Sequence, residues 1–424
     1  MVRNLDIAII GAGISGIAAA HHLQHNHNVT LFEQKSQIGG HANTVRVKDK
    51  LGEECYIDTG FIVFNDKNYP LFSDFLSELK VSVKSTDMSF SYTNNLHNIS
   101  YAGTPESVIQ ILKTPRRSND IKTLFNIYRY SKALKKNTGD FSLKNISIRE
   151  HLLKIGCPPD TIEHYFVPIA SAIWSCDNMD SGNIPANAYI NFFNNHGLLG
   201  LFDRPQWYTI AGGSKEYIKC FKTNFKGNVV TDQAIANVQE IDQKVTISCT
   251  NNATYSFDKV IMATHADTTL QLVPSLPTDK SSILQSHRYT HNNVFLHTDA
   301  NLMPKELKVW ACWNAISYLG ADDITKTYVS YYSNRLQKLN TKTQFFITLN
   351  PPTVPKDDCI LYETTYSHPV LVKSPIENKN DFDNLNKNGN ILFCGAYLGY
   401  GFHEDGFRSG KLVADILLQT TNQL

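Results

Sequence analysis

The sequence predicts an α/β protein built from two domains. Three observations carry that prediction. A strand, a glycine-rich turn, a helix and a second strand follow one another between Leu5 and Glu33. An apolar strand that runs into glycines and then a helix closes the chain, from Ile391 to Leu417. Finally, 424 residues are too many for one ordinary hydrophobic core.

The first unit reads as a Rossmann-like nucleotide fold. Leu5 to Ile10 is an apolar run of strand length that leads directly into Gly11-Ala12-Gly13-Ile14-Ser15-Gly16. Ile17 to Leu23 follows as a helix carrying three alanines, and Val29 to Phe32 as a second strand closed by Glu33. Each glycine has a separate task. Gly11 permits the tight turn, Gly13 lets backbone approach a pyrophosphate, and Gly16 lets the helix pack on the strand. The helix start offers free N–H groups and a positive dipole end. Glu33 stands at the spacing of a carboxylate that binds a ribose hydroxyl. A bound dinucleotide is the expectation.

Bulk properties exclude several other classes. Forty basic and thirty-nine acidic residues leave a net charge of +1, without the basic excess of a nucleic-acid binder. None of the eight cysteines forms a C-x-x-C pair or a zinc-finger spacing, so reduced, mostly buried thiols and no metal are expected. The start has no charged leader with a cleavage site, and no apolar run is long enough to span a bilayer. Those readings point to the cytoplasm.

Six residues after Glu33 stand Gly39-Gly40-His41, then Asn43-Thr44. With the opening unit, this resembles the flavin-containing amine oxidase superfamily, which includes phytoene desaturases and protoporphyrinogen oxidases. The resemblance implies FAD and a glutathione-reductase-like, amine-oxidase type of FAD domain beside an α+β substrate domain. His41 stands where the family usually has Arg, and an imidazole is a weaker phosphate clamp than a guanidinium.

The resemblance runs on through the chain. Tyr56 to Phe61 looks like the strand that brings backbone near the flavin ring, and Thr209 to Gly213 like a glycine pair opening a helix. Val229 to Ile235 is similar to a strand whose apolar residue, here Ile235, touches adenine; Val260 to Thr264 resembles the return strand. At the end, Gly395-Ala396 and Gly399 to Phe407 resemble the family's pyrophosphate strand and flavin-pyrimidine helix, with the helix starting near Asp405. The cofactor set so implied is Gly11, Gly13, Ile14, Ser15, Gly16, Glu33, Gln34, Gly39, Gly40, His41, Thr44, Gly60, Phe61, Ile235, Ala263, Gly395, Ala396, His403, Glu404, Asp405, Gly406 and Phe407. Glu404 and Asp405 would flank the ribityl chain or ring edge.

The closest likeness is to bacterial NAD/FAD-binding oxidoreductases associated with cyclopropane-fatty-acid synthases. Ala172 to Ser175, Arg204 to Trp207, Asn334 to Gln337, Thr348 to Pro351 and Ser367 to Pro369 support it. Cofactor motifs at both ends and in the middle imply a discontinuous FAD domain of residues 1–75, 205–275 and 385–424, with 76–204 and 276–384 forming the substrate domain. The Asn/Lys-rich stretch from Glu377 to Asn390 reads as a polar surface connection.

For activity, the resemblance implies hydride transfer to flavin from a lipid-like substrate, a class that includes fatty-acyl chains. His403 falls where an amine oxidase has a sandwiching aromatic residue, and no counterpart of the flavin-side lysine stands out. His403 and Tyr400 are the candidates for steering or proton transfer, His403 for its titration range. Two alternatives stay open: an amine oxidase of unusual lining, and an FAD-bound accessory of a lipid methyltransferase. Tyr165, Phe166, Trp174, Tyr189, Phe192 and Phe193 read either as a substrate lining or as ordinary core. Residues 113–136 carry eight cations against Asp120, with Ile121, Leu124, Phe125 and Tyr128 at helical spacing. That is either a solvated basic face over a core stripe or a peripheral contact with the inner face of a membrane.

Overall fold

A computed structural model describes residues 4–97, 99–103, 118–200, 204–373 and 375–422. Strand β1 (Asp6–Ile10) is flanked by β2 (Asn28–Phe32) on one side and β14 (Lys259–Met262) on the other, all parallel. Outside these lie β10 (Asn228–Val230) and β20 (Ile391–Phe393), giving the order β10-β2-β1-β14-β20. The strands are near-continuous apolar runs because both faces are covered. Ile7 and Ile9 pack on one side with helix α1 (Ile14–Leu23), while Ala8 and Ile10 pack on the other with Val260 and Met262. The final helix, His403–Asn422, lies against α1. A Cβ on Gly410 would stand 2.1 Å from the Ser15 carbonyl oxygen, so glycine is what lets those two helices meet.

The span Val229 to Ile235, expected as one strand, is two. Asp232 sits at φ +55°, and the turn there carries the chain out of the parallel sheet. It re-enters as β11 (Ile235–Ile241), antiparallel to β12 (Lys244–Cys249), which pairs with β13 (Thr254–Phe257).

A seven-stranded sheet forms the second large layer. Its order is β19 (Ile360–Pro369), β15 (Tyr289–His297), β18 (Phe346–Leu349), β17 (Thr325–Tyr332), β16 (Trp313–Leu319), β7 (Phe90–Asn94) and β8 (Ile99–Ala102). Helices between residues 118 and 195 pack around Phe166, Tyr189 and Phe193, which are core rather than substrate lining. Two small sheets join the layers. One pairs β3 (Thr44–Lys48) with β4 (Glu54–Asp58). The other sets β9 (Trp207–Ile210) between β5 (Val63–Asn65) and β6 (Val83–Thr86).

The stretch Glu377 to Asn390 is not a surface connection. It forms most of the helix Pro375–Asn386, whose Phe382 and Leu385 are buried. Two apolar residues three apart suffice to seat an otherwise polar helix. Asn386 then bonds both the N–H and the carbonyl of Phe393, fixing β20. All eight cysteines are free, five of them buried. Among the described residues no helix is long and apolar enough to cross a membrane.

Candidate cofactor and substrate site

The glycine turns build a cradle at the start of α1. Gly11 takes φ +102° and donates its N–H to the Phe32 carbonyl at 2.9 Å. Gly13 is the N-cap and brings no side chain to the first turn, so its N–H groups stay available. Gly40, at φ +60°, faces it: a Cβ there would stand 3.0 Å from Gly13 Cα. The missing Cβ of Gly40 is what lets the two turns approach this closely. Glu33 accepts from Ala12 N at 3.1 Å and Lys35 N at 3.0 Å, which holds its carboxylate beside the turn. An open cradle, an uncapped helix start and a fixed acid at the end of β2 are what a dinucleotide requires.

The cradle opens into one cavity of about 1180 Å³. Gly11, Gly13, Ile14, Ser15, Glu33, Gln34, Gly40, His41, Gly60, Phe61, Ile235, Ala263, Gly395, Ala396, Tyr400 and His403 all line it. Its far half is walled by Trp174, Phe192, His196, Trp207, Trp313 and Tyr331. Trp174 Nε1 donates to the Tyr400 carbonyl at 3.1 Å, tying this wall to the C-terminal loop.

The remaining expected residues stand elsewhere. Gly16 packs α1 on the turn, where a Cβ would come within 2.0 Å of the Gly11 carbonyl oxygen; Gly39 supports the second turn at φ +130°. Thr44 donates to buried Asp58 at 2.6 Å, and Asp58 accepts from Ser214 N at 2.8 Å, pinning the helix Lys215–Asn224. Glu404 and Asp405 do not flank the cavity. The final helix begins at His403, two residues before the expected start, and this turns both acids inward. Glu404 accepts from Leu71 N at 3.1 Å and Phe72 N at 3.0 Å in the first turn of α2 (Pro70–Glu78). Asp405 accepts from Phe402 N and pairs with Arg408, both at 3.0 Å. Gly406 packs on Ile14 and Ser15, and Phe407 is buried beside Phe75.

The model of the family described as flavin containing amine oxidoreductase matches residues 14–339, well over half of the chain. The chain belongs to that family. It is an FAD-dependent oxidoreductase, and the residues of the cradle fit the cofactor. Among curated proteins none matches the sequence. Solved structures match in fold. A CLA-producing fatty acid isomerase from P. acnes aligns at 14% identity and TM-score 0.68, over 97% of this chain and 98% of that one. Cyclohexylamine oxidase from Brevibacterium oxydans IH-35A aligns at 13% and 0.69, over 99% and 100%. Wild-type putrescine oxidase bound to putrescine aligns at 14% and 0.68, over 98% and 99%.

Within this flavin amine oxidoreductase burial favours the neutral forms of the cavity's histidines and of Tyr400. His403 stacks on Phe61 with centroids 3.7 Å apart and shares a 2.9 Å hydrogen bond with the Tyr217 hydroxyl. Burial pushes its imidazole down to about 3. The ordinary titration range expected for it therefore does not hold, because the charged form would be stranded among aromatic rings. Burial raises Tyr400. Glu404 is pushed up to about 7 by burial, against the pull of the Leu71 and Phe72 N–H groups.

Three cavity histidines were not read from the sequence as site residues. His196 donates through Nδ1 to the Phe192 carbonyl at 2.9 Å and stacks on the Phe192 ring. His265 stacks on Tyr289, and His368 accepts from Asn292 Nδ2 at 2.9 Å. Ser367-His368-Pro369 and Arg204 to Trp207 stood out only as marks of likeness; that they converge on one cavity is a fact of folding. Asp87 was also missed. It pairs with Arg335 at 2.6 Å at the edge of the far half.

Proposed function

We propose that this enzyme takes hydride from a carbon of a mostly apolar, acyl-like substrate. FAD, when bound, supplies the hydride acceptor. Gly13 and Gly40 would admit its pyrophosphate beside the start of α1, and Glu33 would hold a ribose hydroxyl. Ile235 would meet the adenine, and the backbone of Gly60, Phe61, Gly395 and Ala396 would border the ring. Tyr400 and His403 would orient the substrate, His403 as a neutral group. In this reading residues 1–75, 205–275 and 385–424 serve the cofactor and the two insertions serve the substrate.

One observation carries the choice of an apolar substrate. The only carboxylates lining the cavity among the described residues are Glu33 and Asp87. Glu33 is engaged by the glycine turn, and Asp87 by Arg335 and by Ser89 at 2.9 Å. An ammonium entering the far half would find rings and, among the described residues, no free acid, and burying an unpaired charge is expensive. Cation–π attraction from Trp174, Phe192 and Trp207 favours an amine, as does the likeness to cyclohexylamine and putrescine oxidases. Oxygen consumption with a panel of fatty acids, fatty alcohols and amines tests the choice. Acyl compounds should support turnover and diamines should not; the reverse would overturn it. Flavin that no compound reduces, in a protein that co-purifies with a lipid methyltransferase, would favour the accessory role.

A membrane contact belongs to the same proposal. In the helix Ser118–Lys135, Phe125 is 62% exposed and Tyr128 48%, between exposed Lys122, Arg129 and Lys132. Aromatic rings left in water among cations suit an anionic bilayer surface. Lys113, Arg116 and Arg117 lie outside the described residues. Charge reversal of Lys122, Arg129 and Lys132 should abolish binding to phosphatidylglycerol vesicles; undiminished binding would remove the idea.

A further inference from the structure

We propose that His41, His265 and His368 form a titratable clamp for the cofactor's pyrophosphate, so that FAD binding takes up protons. The inference rests on the cofactor placement proposed above and goes beyond it. The three imidazoles come from separate parts of the chain. His41 follows Gly40 in the loop after β2, His265 caps the helix Ala266–Leu272, and His368 lies near the end of β19. They meet at ring-centroid distances of 5.9 Å (His41 to His265) and 5.4 Å (His41 to His368), and all three line the cavity.

Two of them sit beside the phosphate cradle. Gly40, immediately before His41, is the residue whose absent side chain lets this loop touch the Gly13 turn. Ala263 and Thr264, immediately before His265, touch Gly11, whose ideal Cβ would be 2.8 Å from the Ala263 carbonyl oxygen and 3.3 Å from Thr264 Cγ2. An anion seated on the glycine turns therefore has imidazoles on its flank.

The surroundings explain what that anion would change. Facing the cluster are Lys35 beyond β2, Tyr366 on β19, and Tyr289, His291 and Asn292 on β15. Asp267 comes from the helix after His265, and His403 from the final helix. Lys35 is the one fixed cation in that set and Asp267 the one acid. His41 Nε2 has no hydrogen-bond partner, although it is shut off from solvent. Burial lowers all three imidazoles, with each neighbouring histidine adding to the effect on His41. Among the described residues no three His, Cys, Asp or Glu are placed to hold a metal ion. A pyrophosphate reverses both penalties, since it offers opposite charge and strong acceptors.

The sign follows from linkage. Binding raises depressed imidazoles, so affinity rises as pH falls through the bound-state value. It levels off below the free-state value, about 4 for His368. An arginine, charged at every working pH, would give no such dependence.

The test is calorimetric titration of deflavinated protein with FAD at about pH 6, 7 and 8, each in two buffers of different ionisation enthalpy. We expect affinity to tighten by up to about 10-fold per pH unit for each proton taken up, with heats that depend on the buffer. His41→Arg should bind FAD tightly with a weaker pH dependence, the share left to His265 and His368, and adding His265→Gln and His368→Gln to it should remove the remainder. Riboflavin, which lacks the pyrophosphate, should bind without proton uptake. Equal FAD affinity across the range with buffer-independent heats would overturn the clamp, as would equal uptake with riboflavin. No FAD binding at any pH would instead refute the cofactor placement on which the clamp depends.

Discussion

Gly40→Ala separates the cradle from ordinary backbone strain. Gly40 occupies φ +60°, and an L-residue held there costs roughly 1–2 kcal/mol of folding stability. The added Cβ would lie 3.0 Å from Gly13 Cα, well inside ordinary contact, and would push apart the two turns that together would hold the phosphates. Gly52 supplies the control, because it takes φ +83° with nothing within 4 Å of an added Cβ. Gly52→Ala should therefore lose about 1–2 kcal/mol in urea unfolding of the apoprotein, and Gly40→Ala that much plus the cost of its backbone contact. Only Gly40→Ala should lose cofactor as well, by about 10- to 100-fold, equivalent to about 1.4–2.8 kcal/mol. Quenching of flavin fluorescence measures that affinity directly. Wild-type affinity in Gly40→Ala, or a matching loss in Gly52→Ala, would refute the cradle.

Three further outcomes follow from the packing and the buried charges. Gly410→Ala should destabilise the protein by about 3 kcal/mol, since its Cβ would meet the Ser15 carbonyl oxygen at 2.1 Å; an unchanged melting temperature would contradict the close crossing of the two helices. Apoprotein stability should fall on acidification from about pH 6.5, because His196, His287, His297 and His368 are held down to about 4 and His403 to about 3. Unfolding lets each take up a proton, at up to about 1.4 kcal/mol per pH unit, whereas Glu404, pushed up to about 7, loses its contribution as pH rises through that value. A urea midpoint that is flat between about pH 4 and 6.5 would contradict the neutral-histidine account. His403→Gln should lower turnover without moving the pH–rate profile, because the group it replaces does not titrate in the working range. A profile that loses one limb would restore His403 as an acid or base.

The parallel sheet was legible because β1, β2, β14 and β20 are covered on both faces and so read as unbroken apolar runs. The cradle was legible because each glycine is demanded by a conformation or a close approach within a few residues. The reading failed where position depends on partners distant in sequence. Strands β7 and β16 lie more than two hundred residues apart, yet Ser91 and Asn314 hydrogen-bond between them. Nothing local announces that pairing. The orientation of Glu404 and Asp405 turned on a two-residue difference in a helix start, within the ordinary uncertainty of such boundaries. His265 and His368 look unremarkable in sequence, since only folding carries them to His41. Phe382 and Leu385 were outweighed by the asparagines and lysines around them.

Anaerobic titration of the flavin-loaded protein bears most directly on the central claim. Its absorbance near about 450 nm should bleach on addition of a long-chain acyl substrate and persist in the presence of putrescine. Bleaching by putrescine with acyl compounds inert would contradict the account, because the cavity wall would then accept a cation for which its described residues offer no free carboxylate.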